Sequence, residues 1–256
     1  MHRRALLAGL LAAPLASAAR GRGRPLVAAA SDLRYALDAV ADAFVAAGGV
    51  RPEIVYGASG RFHQQIVRGA PFELYLAADE SYVLDLARRG LTVDRGRLYA
   101  LGRLVLFAPT GSALAVDPRL DGLARALAAG RIRRIAVASP EHAPYGMRAR
   151  EALRARGLWD GLAGRLVFGA SVAEAARYAF AGQVDGGLFA LSLALAPPAR
   201  GRGRHAVVDP RLHSPLRQRM VRLRGASAAA GAFYDFLAGG TARTLLARFG
   251  FGLPGE

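Results

Sequence analysis

Short apolar runs alternate with segments of helical periodicity along most of this chain, and that alternation limits the possible folds more than any other feature. The first run is Leu26–Ala30, after which apolar residues from Leu33 to Phe44 recur at helical spacing until Gly48 stops the helix. The pattern predicts further strands at 53–56, 72–77, 104–107, 135–138, 166–168 and 185–190, with helices between them. Alternating strands and helices form mostly parallel sheets covered by helices. The predicted fold class is therefore α/β.

Two successive runs of strands and helices, separated by the strand at 104–107, predict two lobes rather than one wide sheet. We assign residues 26–103 together with 207–256 to the first lobe, and residues 104–206 to the second. A chain of 256 residues is long enough for two such lobes, each with its own hydrophobic core.

The first eighteen residues have the features of an export signal. Residues 1–4 form a short positive region, residues 5–15 are apolar, and Ala16-Ser17-Ala18 supplies the small residues that signal peptidase reads. The apolar run is too short to span a bilayer as a helix. We therefore expect cleavage near Ala18 and a soluble, monomeric mature protein in the bacterial periplasm.

Composition excludes several classes of function. The chain has no cysteine, which rules out disulfides, thiolate zinc sites, a cysteine nucleophile and a lipid-bearing cysteine. All 35 basic residues are arginine, so no P-loop lysine and no Schiff base to pyridoxal phosphate is available. The formal charge is +16, but the arginines are dispersed along the sequence with few aromatic residues between them. This pattern does not favour a nucleic-acid partner.

Three serines stand where a predicted strand gives way to a helix: Ser31, Ser59 and Ser171. Ser171 and Glu174 also have the spacing of a capping box. The first N–H groups of a helix lack partners within it and together carry roughly +0.5 of an elementary charge, which favours a bound anion. Such turns open at the carboxyl ends of parallel strands, so we expect the three to converge on one anion. Taken singly, each serine is more often a structural N-cap.

Other candidate motifs are weaker. Residues 57–60 are similar to a nucleophile elbow, but Arg61 stands where that motif requires glycine. The histidines of the mature chain lack the spacing of metal ligands. They are His63, His142, His205 and His213. No metal site is therefore predicted.

Five segments, in order over most of the mature chain, form a more specific pattern. They are Ala-Ala-Ala-Ser-Asp-Leu at 28–33, Tyr-Gly-Ala-Ser-Gly at 56–60, Gln-Ile-Val-Arg-Gly-Ala-Pro-Phe-Glu-Leu-Tyr-Leu-Ala-Ala-Asp-Glu at 65–80, Pro-Glu-His-Ala-Pro-Tyr-Gly at 140–146 and Arg-Phe-Gly-Phe at 248–251. With these segments the chain resembles the periplasmic molybdate-binding proteins of ABC-type importers, over residues 26–251.

The resemblance implies a type II periplasmic binding protein fold, in which two hinged lobes close on a tetrahedral oxyanion, molybdate or tungstate. It also implies delivery of that ion to the membrane permease of an ABC importer, without a cofactor. By the same resemblance, Ser31 and Ser59 donate hydroxyl and backbone hydrogen bonds from the first lobe. Tyr145 and Val172 donate backbone N–H groups from the second. No protein atom is expected to bond to the metal atom itself.

Asp32 and Gly60 adjoin the two serines and complete the set of predicted ligand-binding residues. A carboxylate beside an anion should point away from it, so only the N–H of Asp32 is expected to help. One departure concerns a tyrosine hydroxyl that some family members place on the ligand from the strand around 185–191. This sequence has Ala190 there, and we hypothesise that the hydroxyl of Tyr145 replaces it.

A cage of neutral donors selects by the size of the tetrahedron, and it rejects a protonated oxyanion whose hydrogen would face a donor. This reading predicts a binding protein and not an enzyme. Three alternatives stay open: a sulfate, thiosulfate or other oxyanion receptor of the same fold, an exported serine hydrolase using Ser59 or Ser31, and a sensory domain.

Overall fold

The computed structural model describes residues 23–255. The predicted export signal at 1–18 and its cleavage site near Ala18 lie outside the described residues. Two five-stranded sheets organise the chain. The first sheet has the order β2-β1-β3-β10-β4 and is formed by β1 (Leu26–Ala30), β2 (Glu53–Gly57), β3 (Leu74–Ala77), β4 (Arg97–Gly102) and β10 (Leu216–Arg222). The second has the order β7-β6-β8-β5-β9 and is formed by β5 (Leu104–Pro109), β6 (Ile135–Ala138), β7 (Leu166–Gly169), β8 (Gly186–Ala190) and β9 (Gly203–Val207).

Each sheet contains one reversed strand. In the first sheet, β1 pairs in parallel with β2 and β3, whereas β10 is antiparallel to both β3 and β4. In the second, β6 pairs in parallel with β7 and β8, whereas β5 is antiparallel to both β8 and β9. Four strands of each sheet therefore run in one direction, and their carboxyl ends lie at the same edge. The predicted α/β fold of two mostly parallel sheets is confirmed.

Helices connect the strands. Those among the described residues are α1 (Arg34–Ala46), α2 (Ser59–Val67), α3 (Glu80–Arg88), α4 (Asp121–Ala128), α5 (Pro144–Ala155), α6 (Val172–Phe180), α7 (Leu191–Ala194), α8 (Ala228–Leu237) and α9 (Gly240–Arg248). In α1 the buried residues include Leu37, Val40 and Phe44, which is the helical face that the sequence spacing predicts. None of the helices between residues 23 and 255 combines the length and the apolar character that crossing a membrane requires.

Aromatic clusters mark the interior beside each sheet. Next to the first sheet, Phe44 and Phe233 pack with ring centroids 5.1 Å apart. In the second, Phe107 and Phe189 pack at 5.4 Å. Burial of one such side chain contributes about 1.5–3 kcal/mol. Each of these two ring contacts lies within one half of the molecule.

The chain passes between the two sheets twice. Arg103 alone separates the end of β4 from the start of β5, and residues 208–215 join β9 to β10. We propose that the lobes divide and hinge at these two connections. Because β9 extends to Val207, we place this residue in the second lobe and begin the returning segment of the first lobe after it.

Candidate functional site

A small cavity lies between the two sheets, at the carboxyl ends of β1, β2, β3, β6 and β7. Its interior volume is about 10 Å³, far below the roughly 300–1,000 Å³ typical of pockets for drug-sized ligands. It is lined by Ala30, Ser31, Asp32, Gly57, Ala58, Ser59, Ala78, Ala143, Pro144, Tyr145 and Val172. Five of the six predicted ligand-binding residues are therefore brought together, although they span more than half of the chain.

Ser31 lies at the end of β1 and is 3% exposed. It is the first residue of a 3-10 turn, Ser31–Leu33, whose N-cap is Ala30; the prediction that Ser31 itself caps the helix is wrong. Its Oγ instead accepts a hydrogen bond of 3.2 Å from the backbone N–H of Ala173 in α6. This contact joins the two lobes at the cavity, and the hydroxyl hydrogen of Ser31 stays available to donate.

Ser59 is the first residue of α2 and is fully buried. Its Oγ accepts a hydrogen bond of 3.0 Å from the N–H of Ala78, and its carbonyl accepts one of 2.8 Å from the hydroxyl of Tyr75. These two bonds fix the residue at the cavity wall. Since an N–H in the first turn has no acceptor within its helix, Ser59 can present both that N–H and its hydroxyl hydrogen to an anion.

Helix α6 begins at Val172 behind a capped turn. Ser171 Oγ accepts from the N–H of Glu174 at 3.4 Å, and the Glu174 carboxylate accepts from the N–H of Ala170 at 2.6 Å. The predicted capping box is thus present, with its return bond made to Ala170 rather than to Ser171. Since the N–H of Ala173 donates to Ser31 Oγ, the N–H of Val172 is the first-turn donor of this helix that stays free for a ligand.

Helix α5 reaches the cavity with Pro144 as its first residue and Tyr145 as its second. Proline has no N–H, so the first amide that this helix can present is that of Tyr145. Val172 and Tyr145 can therefore present N–H groups to the cavity from the second lobe, and Ser31 and Ser59 line it from the first.

Gly60 does not belong to this set. Its N–H donates to the carbonyl of His142 at 2.8 Å, across the boundary between the lobes, and it does not line the cavity. A Cβ atom at this position would lie 2.8 Å from the same carbonyl oxygen. The glycine thus permits the two lobes to approach closely, and its N–H is engaged by His142; its contact with a ligand stays a prediction.

The side chain of Asp32 points into a buried polar network. Its Oδ2 accepts a hydrogen bond of 2.5 Å from Gln218 Nε2, and Gln218 Oε1 accepts one of 2.8 Å from the hydroxyl of Tyr99. Asp32 is 1% exposed. Burial raises the pKa of its carboxyl to about 6, against the opposing effect of the hydrogen bond from Gln218. Sequence reasoning missed Gln218, which lies 186 residues away and has no motif around it.

The hydroxyl of Tyr145 belongs to the same network. It accepts a hydrogen bond of 3.4 Å from Gln218 Nε2, and a Cβ at Gly102 would lie 2.4 Å from it. The ring therefore extends toward the connection between β4 and β5. The hypothesis that this hydroxyl replaces a ligand-binding tyrosine is not supported, because the network holds it there. Ala190 does not line the cavity.

A buried ion pair also links the lobes. Arg148 of α5 contacts Asp79, which follows β3, and the two side chains are 9% and 11% exposed. Asp79 additionally accepts 2.9 Å and 2.6 Å hydrogen bonds from the N–H and hydroxyl of Ser81. The pair therefore fixes α5, one turn beyond Tyr145, against the first lobe.

The contacts at the cavity suit binding better than covalent chemistry. Ser31 and Ser59 receive hydrogen bonds from backbone N–H groups, whereas His63 pairs with Asp85 at 2.8 Å. A nucleophilic serine needs a histidine within hydrogen-bond reach. Among residues 23–255 no cluster of His, Asp and Glu is suited to hold a metal ion. The cavity lining contains no arginine, so its donors are hydroxyl and backbone groups.

Comparison with known proteins shows the family of this chain. The family model for the bacterial extracellular solute-binding protein matches residues 25–252. The chain is 33% identical to the molybdate-binding protein ModA of Azotobacter vinelandii, over 97% of this chain and 96% of that protein. It is 30% identical to ModA of Escherichia coli K12, over 95% of each.

Among solved structures, the periplasmic molybdate-binding protein of Azotobacter vinelandii superposes with a TM-score of 0.82 at 29% identity. The superposition covers 90% of this chain and all of that one. The sulfate-binding protein SubI of Mycobacterium tuberculosis has the same fold, with a TM-score of 0.73 at 20% identity over 91% of this chain and 87% of that one.

Proposed function

We propose that this chain, which belongs to the bacterial extracellular solute-binding protein family, captures molybdate or tungstate between its two lobes and delivers the ion to an ABC importer. The observation that carries the proposal is the convergence of Ser31, Ser59, Tyr145 and Val172 on one small cavity between the lobes. The relatives named above support the choice of ion. They are molybdate-binding proteins, and the similarity to this chain covers nearly their full length. In this proposal the protein works as a periplasmic monomer, catalyses no reaction and has no nucleic-acid partner.

The donors explain both capture and release. Each is a hydroxyl or a first-turn N–H, so the anion is held by hydrogen bonds to helix N-termini without a full positive charge. Such bonds to a charged group contribute about 1.5–3 kcal/mol each. Opening the lobes separates Ser31 and Ser59 from Tyr145 and Val172, which breaks half of the cage at once and frees the ion. Closure gives the permease a shape to recognise.

A receptor for sulfate on the same fold is the second candidate. The observation behind it is the similarity to a sulfate-binding protein, which concerns the fold. The two candidates differ in the size of the tetrahedron that the donors fit. Competition between ions therefore distinguishes them.

The test is calorimetric titration of the mature protein with molybdate, tungstate, sulfate and phosphate. We expect binding of the first two ions, and a loss of about tenfold to 150-fold in affinity for Ser59→Ala, from the cost of one hydrogen bond to a charged group. Ser227→Ala is the matched control, because Ser227 caps α8 through the N–H of Ala230 at 3.2 Å, in a helix that does not line the cavity. Equal affinity for sulfate assigns the protein to the second candidate, and no binding of any oxyanion refutes both.

A further inference from the structure

A carboxyl group, that of Asp32, belongs to a residue lining the cavity in which the proposed ligand, a dianion, binds. Asp32 lines the cavity next to Ser31 and is 1% exposed. Its Oδ2 accepts from Gln218, but its Oδ1 is buried and has no hydrogen-bond partner. Within the described part of the chain, no arginine or histidine pairs with this carboxyl. A buried carboxylate without a cation is costly, and a dianion beside it adds direct repulsion.

The groups packed around Asp32 offer no compensating charge. From β10 it meets the amide of Gln218, whose neighbours Arg217 and Arg219 are both paired with Glu80. From α7, Ser192 donates to the backbone carbonyl of Asp32 at 2.7 Å.

The titratable groups that face Asp32 are phenols. They are Tyr145 on α5 and Tyr99 on β4, with Tyr75 on β3 beyond them. Their burial, and the nearby carboxyl of Asp32 for two of them, hold the pKa values of these hydroxyls well above 10. They are therefore neutral at every pH at which the protein works, and Asp32 is the group whose charge can change.

We propose that Asp32 takes up one proton from solvent when the oxyanion binds, so that capture of the dianion is coupled to protonation of this carboxyl. The inference rests on the proposed function. The proton adds to Oδ1, the oxygen without a partner, and no bond of the ligand is made or broken. The protonated carboxyl removes the repulsion.

Burial already raises the pKa of Asp32 to about 6, against the opposing hydrogen bonds from Gln218 and Tyr145. The dianion raises it further, because it favours the uncharged form. At neutral pH the carboxyl is therefore ionised in the empty site and protonated in the filled one. Linkage then requires the affinity to fall about tenfold for each pH unit above 6, up to the pKa of the complex, and to be independent of pH below about 6.

The experiment is calorimetric titration of the full mature protein with molybdate from pH 5.5 to 8.5, in pairs of buffers that differ in ionisation enthalpy. The dependence of the heat on the buffer counts the protons taken up. For the unmodified protein we expect uptake approaching one proton at pH 7.5. For Asp32→Asn we expect no uptake, no pH dependence, and at pH 8 an affinity at least tenfold higher than that of the unmodified protein. The matched control is Asp42→Asn. Asp42 lies on α1, is exposed and pairs with Arg51, so this variant should keep the pH profile of the unmodified protein.

Binding by the unmodified protein without proton uptake overturns the inference and leaves the proposed function intact. Proton uptake that persists in Asp32→Asn also overturns it, because another group would then carry the proton. Absence of molybdate binding at every pH overturns the proposed function, and the inference with it.

Discussion

Breaking the ion pair between Arg148 and Asp79 should weaken ligand binding much more than it weakens the fold. Removal of one partner from a buried pair costs about 3–5 kcal/mol, because the other charge is left unpaired. Here Asp79 keeps its two hydrogen bonds from Ser81, and both charged side chains are about a tenth exposed. We therefore expect a loss at or just below the lower end of that range for Arg148→Met, about 2–3 kcal/mol, which corresponds to a roughly 30- to 150-fold higher Kd for molybdate.

The loss should appear in Kd because the partners lie on different lobes. When the lobes separate, water solvates both groups, and the pair stops contributing. Calorimetric titration of Arg148→Met, Asp79→Asn and the double variant gives a double-mutant cycle, from which we expect a coupling energy above about 1 kcal/mol. Arg88→Met is the control, since Arg88 is 71% exposed and pairs with Asp85 within the first lobe; exposed pairs contribute about 0–1 kcal/mol.

Two results would refute this reasoning. The first is a Kd for Arg148→Met within twofold of that of the unmodified protein, which would mean that the pair does not stabilise the closed form. The second is an equal loss of unfolding free energy with and without molybdate, which would mean that the pair stabilises both forms and does not report on closure.

Three further changes should separate the roles of neighbouring residues. Gly60→Ala places a methyl group against the carbonyl of His142 in the second lobe and the hydroxyl of Tyr82 in the first, so molybdate affinity in calorimetric titration should fall about 5- to 150-fold, the equivalent of 1–3 kcal/mol of overlap. Asp32→Asn should stabilise the empty protein by about 3 kcal/mol above pH 6 in urea unfolding. The reason is that the folded protein binds more protons than the unfolded chain between the ordinary carboxyl pKa of 3.8 and the raised value of about 6, and so loses stability as pH rises. Ser171→Ala removes the cap on the N–H of Glu174 and should cost about 1 kcal/mol of unfolding free energy; a loss below 0.3 kcal/mol would show that the cap contributes little.

The sequence predicted those parts of the site that depend on local chain geometry. Ser59 and Val172 follow strands whose apolar runs are plain in the sequence, and a turn from strand to helix places its first N–H groups at the carboxyl edge of a sheet whatever the rest of the fold does. The capping box at Ser171 is equally local. For this reason the cavity lining could be anticipated from turns and from the family resemblance, and the same holds for the α/β fold.

The parts that sequence reasoning missed depend on contacts between distant segments. Gln218 reaches Asp32 only because β10 inserts between β3 and β4 in the reverse direction. No local sequence pattern predicts this insertion. The hydrogen bond from Gly60 to His142 exists only across the lobe boundary. Ser31 was expected to be an N-cap on good local grounds. It accepts from Ala173 in the other lobe instead, so a tertiary contact replaces the local one.

The distribution of arginine shows how such a site separates attraction from selection. The chain carries 35 arginines and a formal charge of +16, yet no arginine among residues 23–255 lines the cavity. The net charge attracts any anion at long range and cannot distinguish one dianion from another. In the proposed function, discrimination falls to neutral donors from both lobes, whose separation is set by how far the lobes close. We expect that distance to depend on the contact at Gly60 and on the pair between Arg148 and Asp79. Changes at these positions should therefore alter the preference among oxyanions even though none of the three residues lines the cavity.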